Sequence, residues 1–223
     1  MEGVVTWFTN TALYIYLCLV LLVVLAAIFP RLNHDDKMAS APIFVYCITD
    51  LTCSVMSFKA ISNLWVYNLM LFPQFLLIIY TFYRKLNSKT MRIVLLSGAA
   101  VIITIHTVNL IGYQGLHVFD SFSYIPAMAW MATCAYWYLR EQFNNIDEPP
   151  FKNFLSWFAL AILIDNAGAI PILSVLGWSA YIRTTEALRL LDVVTFLYVL
   201  WYAIILTGLL WTRILPRSVS RFQ

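Results

Sequence analysis

An all-α fold, built as a polytopic membrane protein with a bundle of seven transmembrane helices, is predicted by three observations on this chain. Hydrophobic residues make up 62% of its 223 positions and charged residues 11%; a soluble globular domain carries roughly 25% charged residues. The apolar residues gather into runs of about 20, the length a helix needs to cross a hydrocarbon core roughly 30 Å thick, and no run alternates as a barrel strand would. The fourteen Lys and Arg residues fall between the runs and favour alternate sides.

The first run, 10 to 30, follows the segment MEGVVTWFTN, which has no Lys or Arg. It lacks the basic start of a secretory signal peptide, so the first span is expected to be retained. The second, 41 to 58, is the weakest: Asp50 lies inside it and Lys59 closes it, which leaves a six-span alternative. The third, 63 to 83, contains Pro73; the fourth, 91 to 113, carries His106 and Asn109; the fifth, 120 to 139, contains Pro126. The loop REQFNNIDEPPFKN follows, broken by Pro149 and Pro150. The sixth run, 154 to 177, holds Asp165, Asn166 and Pro171, and the seventh, 189 to 212, begins at Arg189 and is stopped by Pro216. A proline inside a helix removes one backbone hydrogen bond and favours a kink. The seven runs take up nearly the whole chain, so residues 1–223 form a single transmembrane domain.

With seven spans, Arg31, Lys37, Arg84, Lys85, Lys89, Arg92, Arg140, Lys152, Arg213, Arg217 and Arg221 share one side, eleven of the fourteen basic residues. Lys59, Arg183 and Arg189 are left for the other. The positive-inside rule places the N-terminus outside and the C-terminus in the cytoplasm. Trp7, Trp65, Trp137, Tyr138, Trp157, Trp178, Tyr181 and Trp211 lie near span ends, where an interfacial aromatic belt belongs. Tyr136, Trp201 and Tyr202 lie deeper and read as packing residues. The host bilayer would be a plasma or inner membrane in a bacterium, or the endoplasmic reticulum in a eukaryote.

Cys18, Cys47, Cys53 and Cys134 all fall inside spans with no CxxC pair and no histidine at zinc spacing, so they read as packing residues and no metal site is expected. The net charge of +3 is the excess that orientation requires, and no nucleic-acid face is expected. No Lys lies in the seventh span, which excludes a retinal Schiff base there. With no HExxH, GxSxG or Gly-rich phosphate loop, metalloprotease, hydrolase and nucleotide-binding chemistry have no support, and no cofactor is expected.

An ionised side chain at the bilayer centre costs about 2.5–3.5 kcal/mol on insertion scales and usually faces the bundle interior. Asp50 and Asp165 are the two clearest cases, near mid-depth. Asn68, His106, Asn109, Arg189 and Asp192 fall in the outer half. Helical spacing puts Asp50, Ser54 and Ser57 on one stripe, His106, Asn109 and Tyr113 on a second, Tyr67, Gln74 and Thr81 on a third, and Asp192, Thr195, Val199 and Tyr202 on a fourth. Four inward stripes suggest a polar cavity opening outward. Each also has a plainer reading: Glu186, Arg189 and Asp192 pair along one helix, His106 and Asn109 bond across helices as packing glue, and Asn68 and Gln74 do the same. Asp165 and Asn166, beside Gly168 and Pro171, are hardest to read as packing.

The segment SNLWVYNLMLFPQFLLIIYTFY, around residues 63 to 83, resembles a large group of uncharacterised seven-helix integral membrane proteins of the Bacteroidetes. Their third helix reads N-x-W-L-Y-H with an acid six residues on, and their second helix carries an acid, matched here by Asp50. This chain departs from the pattern at Asn68, where the group has His, and at Gln74, where it has Glu. The resemblance implies a sensory or accessory membrane protein working beside a signalling partner. In architecture the chain also resembles seven-helix membrane terpene cyclases, which use one acid in the second helix and one in the seventh; Asp50 and Asp192 occupy comparable places, although CITDL does not match the cyclase motif.

Two functions of different class follow. The first is an integral membrane sensor or ligand-binding protein whose outer-half pocket, formed by Asp50, Asn68, Gln74, His106, Asn109, Asp165, Asn166, Arg189 and Asp192, takes a hydrophobic or amphipathic small molecule. Its signal would pass to a partner protein at the 140–153 loop or the tail from Arg213 to Arg221. The second is an intramembrane enzyme acting on a lipid or isoprenoid, with Asp50, Asp165 and Asp192 as candidate catalytic acids. A small-molecule transporter centred on Asp165 is a third.

Overall fold

The computed structural model describes the backbone of residues 2–118, 120–145, 149–178 and 184–214, with side chains described from residue 11 to 176, where the backbone is, and from 189 to 213. Trp7, Trp178, Tyr181, Arg183, Glu186, Pro216, Arg217 and Arg221 lie outside the described side chains. Seven long helices account for most of the described chain: α1 (Glu2–Ile28), α2 (His34–Phe58), α3 (Leu64–Lys85), α4 (Lys89–Gly112), α5 (Ser121–Asn144), α6 (Phe154–Trp178) and α7 (Thr184–Leu209), the last running into a π-helical turn (Leu210–Ile214). No strand occurs among the described residues.

The helices match the apolar runs but overrun several of them, because capping and charged turns extend a helix past its greasy centre. α2 starts at His34 rather than near 41: Asn33 caps it by accepting from the Asp36 amide at 2.8 Å, with Asp35 and Asp36 in the first turn, where the helix dipole favours acids. Ser88 caps α4 in the same way at 3.3 Å. At the far end of α2 the chain turns through Ala60, a non-glycine residue in the left-handed region with φ of 54°, and the Ile61 amide reaches back to the Met56 carbonyl at 2.9 Å. That 6→1 bond closes the helix end.

Six stretches are long and apolar enough to cross a membrane: Thr11–Arg31, His34–Phe58, Leu64–Lys85, Lys89–Gly112, Phe154–Leu176 and Arg189–Arg213. α5 is absent from that set. Its sequence, SFSYIPAMAWMATCAYWYLREQFN, spends Ser, Thr, Tyr and Trp where the others spend Leu, Ile and Val.

Packing explains the difference. Each helix packs against the next in sequence and α7 closes back on α1, while α3 also meets α5 and α2 also meets α6. α4 is therefore the outlying helix, set in the groove between α3 and α5. It buries one narrow stripe, Leu95, Ala99, Ile102, His106 and Asn109. α5 lies behind it and buries Ser121, Ser123, Ala127, Met128, Met131, Cys134, Ala135, Tyr138 and Leu139. Gly98 lets the two helices touch: a Cβ there would collide with the Trp130 ring, whose Nε1 donates to the Leu95 carbonyl at 3.2 Å. On either side of α4 a shallow, mostly apolar cleft opens outward, of about 460 Å³ beside Ile105 and Phe122 and about 420 Å³ beside Phe72 and Leu110.

One end of the bundle is tied by charge. Lys85 at the end of α3 pairs with Asp35, and Arg213 in the π-helical turn pairs with the buried Asp36, both at the start of α2. The Asn87 amide donates to Glu141 on α5 at 3.0 Å, and Tyr138 donates to Asn153 at the start of α6 at 3.2 Å. Tyr138 is thus a buried tie rather than a belt residue, whereas Trp65 and Trp211 are exposed as a belt requires. Tyr136, expected to pack, is 51% exposed. The four cysteines are free and buried.

Candidate functional site

Two polar centres form inside the bundle, and they differ in kind. The first lies where α3, α4 and α5 meet. Asp120, just ahead of α5, is fully buried and caps that helix by accepting from the Ser123 amide at 3.0 Å. Its Oδ2 meets His106 Nδ1 at 2.7 Å, and its Oδ1 accepts from Asn109 Nδ2 at 2.5 Å. Asn109 Nδ2 also donates to Gln114 Oε1 at 2.7 Å. Asn68, on α3, donates to the carbonyls of Leu116 and Val118 at 2.9 and 2.7 Å and accepts from the Asp120 amide at 3.3 Å. These residues pin the α4–α5 connection to α3, and both Asp120 carboxyl oxygens and the Asn68 amide are engaged in doing so. Tyr113, placed on the same stripe by its spacing, points away and is 82% exposed.

The second centre lies deeper, and six of the seven helices supply it. α2 contributes Asp50 and, one turn before it, Tyr46. Tyr202 of α7 donates to Asp50 Oδ2 at 2.6 Å, and Tyr14 of α1 presents its hydroxyl to the same carboxyl. Tyr14 also stacks at a tilt on Tyr198 and Tyr202, with ring centroids 5.9 and 5.7 Å away. Tyr46 packs against Trp201 at 5.2 Å. Tyr67 of α3 lies within electrostatic reach of Asp50, beside Cys53. Tyr124 of α5 pairs with Tyr198 of α7 and lies within reach of both Asp50 and Asp165. Asp165 of α6 completes the group, within reach of Asp50. Only α4, the outlying helix, contributes nothing to it.

The two carboxyls are held differently. Asp50 has tyrosine hydroxyls around it. Asp165 is 8% exposed, and its Oδ1 is enclosed with no hydrogen-bond partner. The other buried carboxyls of the described residues are all engaged: Asp36 by Arg213, Asp50 by Tyr202 and Asp120 by His106 and Asn109. A buried polar group without a partner is uncommon enough to call for an explanation. Tyr46, Tyr124 and Tyr198 are each partly buried and lie within electrostatic reach of Asp165.

The remaining candidates fall outside this centre. Gln74 donates to Thr49 at 3.1 Å and links α3 to α2. Asn166 is buried next to Asp165. Asp192 is half-buried, with its Oδ1 lacking a partner, and no described interaction joins it to Asp50 or Asp165. Arg189 is exposed; its expected pairing with Glu186 lies outside the described residues. Tyr67 and Tyr202 stood on the predicted inward stripes, whereas Tyr14, Tyr46, Tyr124 and Tyr198 are what the sequence reading missed. Their signal was present in the i, i+4 pairs Tyr46–Asp50 and Tyr198–Tyr202, each of which puts both side chains on one helix face. No family model matches the chain, and neither a curated protein nor a solved structure is similar to it.

Proposed function

We propose that this is a seven-span integral membrane protein, N-terminus outside and C-terminus cytoplasmic, that binds a small molecule in its interior and signals through a partner protein. The observation that carries the reading is Asp165, a buried carboxyl with an unpartnered oxygen and with Tyr46, Tyr124 and Tyr198 within its electrostatic reach. A protein that only needed to pack would have Asn, Ser or Leu there at lower cost. The seventh span is α5: as long as its neighbours and packed on three of them, it buries Ser121, Ser123 and Tyr138 against protein. Arg31, Lys85, Lys89, Lys152 and Arg213 all stand at helix ends that gather on one end of the bundle, which the positive-inside rule makes cytoplasmic.

The pocket of this reading is narrower and deeper than the polar stripes predict. Asn68, His106 and Asn109 hold the α4–α5 connection, which leaves Asp50, Asp165 and the tyrosines to meet the ligand. The partner would engage the 140–153 loop and the end of α7, where Glu141 and Arg213 already tie helices together.

The test is mass spectrometry of organic extracts from the protein purified in native lipid. A small molecule recovered from the wild type and depleted in an Asp165→Ala variant is the expected result. Equal extracts from both would defeat the reading.

A second reading has its own observation. Two carboxyls in one interior, one bonded by Tyr202 and the other unpartnered, are the arrangement an acid-catalysed cyclase or isomerase of an isoprenoid or lipid would need. In it Asp165 takes the place that the cyclase resemblance gave to Asp192. Isoprenoid turnover unchanged in both Asp50→Asn and Asp165→Asn would eliminate it.

A further inference from the structure

The composition of the deep centre points to the charge of its occupant. Asp50 and Asp165 lie within reach of one another, and the side chains around them are Tyr and Cys. No described Lys, Arg or His balances them: the basic side chains stand at or near helix ends, and His106 is engaged with Asp120. Coulomb attraction is strengthened in so dry a place, and an ionised acid buried without a counterion is expensive. Such an acid is neutral only while it keeps its own proton or meets a positive group from outside the chain.

What surrounds the acids decides between a metal ion and an organic cation. No group of three or more His, Cys, Asp or Glu residues among those described is placed to hold a metal. The walls are aromatic instead: Tyr46, Tyr124 and Tyr198 lie within electrostatic reach of Asp165, with Trp201 packed behind Tyr46. Rings of this kind attract a cation to their faces, and several around one carboxylate form the type of cage that recognises an ammonium group.

We infer that the interior site takes an organic ammonium ligand, its positive nitrogen set against the free oxygen of Asp165 and enclosed by the rings of Tyr46, Tyr124 and Tyr198. The inference rests on the ligand-binding reading above and adds the class of ligand. Asp50, already supplied with tyrosine donors, shapes the same space without being the primary counterion. Tyr202 and Tyr14 hold it in place.

The experiment uses the full chain in lipid nanodiscs and follows Trp fluorescence, to which Trp201 contributes from beside the site. The probes are phenethylammonium and choline, with 2-phenylethanol as the neutral counterpart of the first. A saturable response to either cation is expected, with affinity about tenfold or more weaker for 2-phenylethanol and for the cation with Asp165→Asn. Because a variant can fail by misfolding, Tyr198→Phe and Tyr198→Leu are read as a pair. The first, which keeps the ring, should bind within about twofold of wild type, and the second several-fold more weakly. Equal affinity for cation and neutral probe, an Asp165→Asn variant that binds the cation as wild type does, or no saturable response to either cation would each overturn the ammonium assignment. The ligand-binding reading has its own separate outcome, since extracts that differ between wild type and Asp165→Ala uphold it even when the recovered molecule is neutral.

Discussion

The centre around Asp120 and the centre around Asp165 each bury a carboxyl inside the bundle and use it in opposite ways. At Asp120 both carboxylate oxygens are bonded, and the donors come from α4 and the start of α5 while α3 grips the connecting loop. At Asp165 one oxygen has no partner, and the neighbouring tyrosines retain accessible surface. A satisfied buried network rigidifies the segment it joins. An unsatisfied one lowers stability and keeps its bonding capacity for something else. The lesson is that burial of an acid alone does not mark a site; the state of its partners does.

The contrast can be broken most sharply at Asp120. Asp120→Ala removes an N-cap and strands the buried donors of His106 and Asn109, so it should cost about 3 kcal/mol or more. Unfolding of the purified protein by SDS in mixed micelles would measure it, and a cost below about 1 kcal/mol would mean the network holds nothing. Next is Asn68→Ala, which frees the carbonyls of Leu116 and Val118 while leaving the cap intact. The same measurement should show about 2 kcal/mol, and hydrogen exchange should rise in residues 113 to 118 before anywhere else.

Smaller effects belong to the deeper centre. Tyr202→Phe deletes one donor to Asp50 and should cost about 1 kcal/mol, in line with interhelical hydrogen bonds in membranes. Asp165→Asn should change stability by no more than about 0.5 kcal/mol in either direction, because no described bond to Asp165 is lost. A loss as large as that of Asp120→Ala would place Asp165 in a structural role and erase the difference between the two centres. Together these four variants order the acids by how fully the fold uses them.

Particular residues show how much of this was legible in the sequence. The helices were, since each apolar run became a helix, although several extend beyond their runs, as α2 does from its Asn33 cap. Asp50 and Asp165 stood out as acids in greasy surroundings and proved to share one interior. His106 and Asn109 were correctly placed on one face, but their partner Asp120 read as the start of a run, because contact across fourteen and eleven residues of a turning chain has no local signature. Tyr202 read as packing for a stronger version of the same reason: its bond to Asp50 spans 152 positions. Gln74, read either as a pocket residue or as a bond between helices, donates to Thr49 of α2.

By itself the sequence determined the number and approximate position of the helices and the segregation of basic residues between them, because solvation by lipid or water acts on each segment separately. Only the tertiary structure decided that α4 lies outside while the less apolar α5 is enclosed, that Asn68, His106 and Asn109 are consumed at Asp120, and that six helices bring tyrosines and two acids together. Those outcomes depend on which helix faces meet. Side chains that share a face of one helix can be read from spacing; side chains that share a space between six helices cannot, because that requires the rotation and depth of every helix at once.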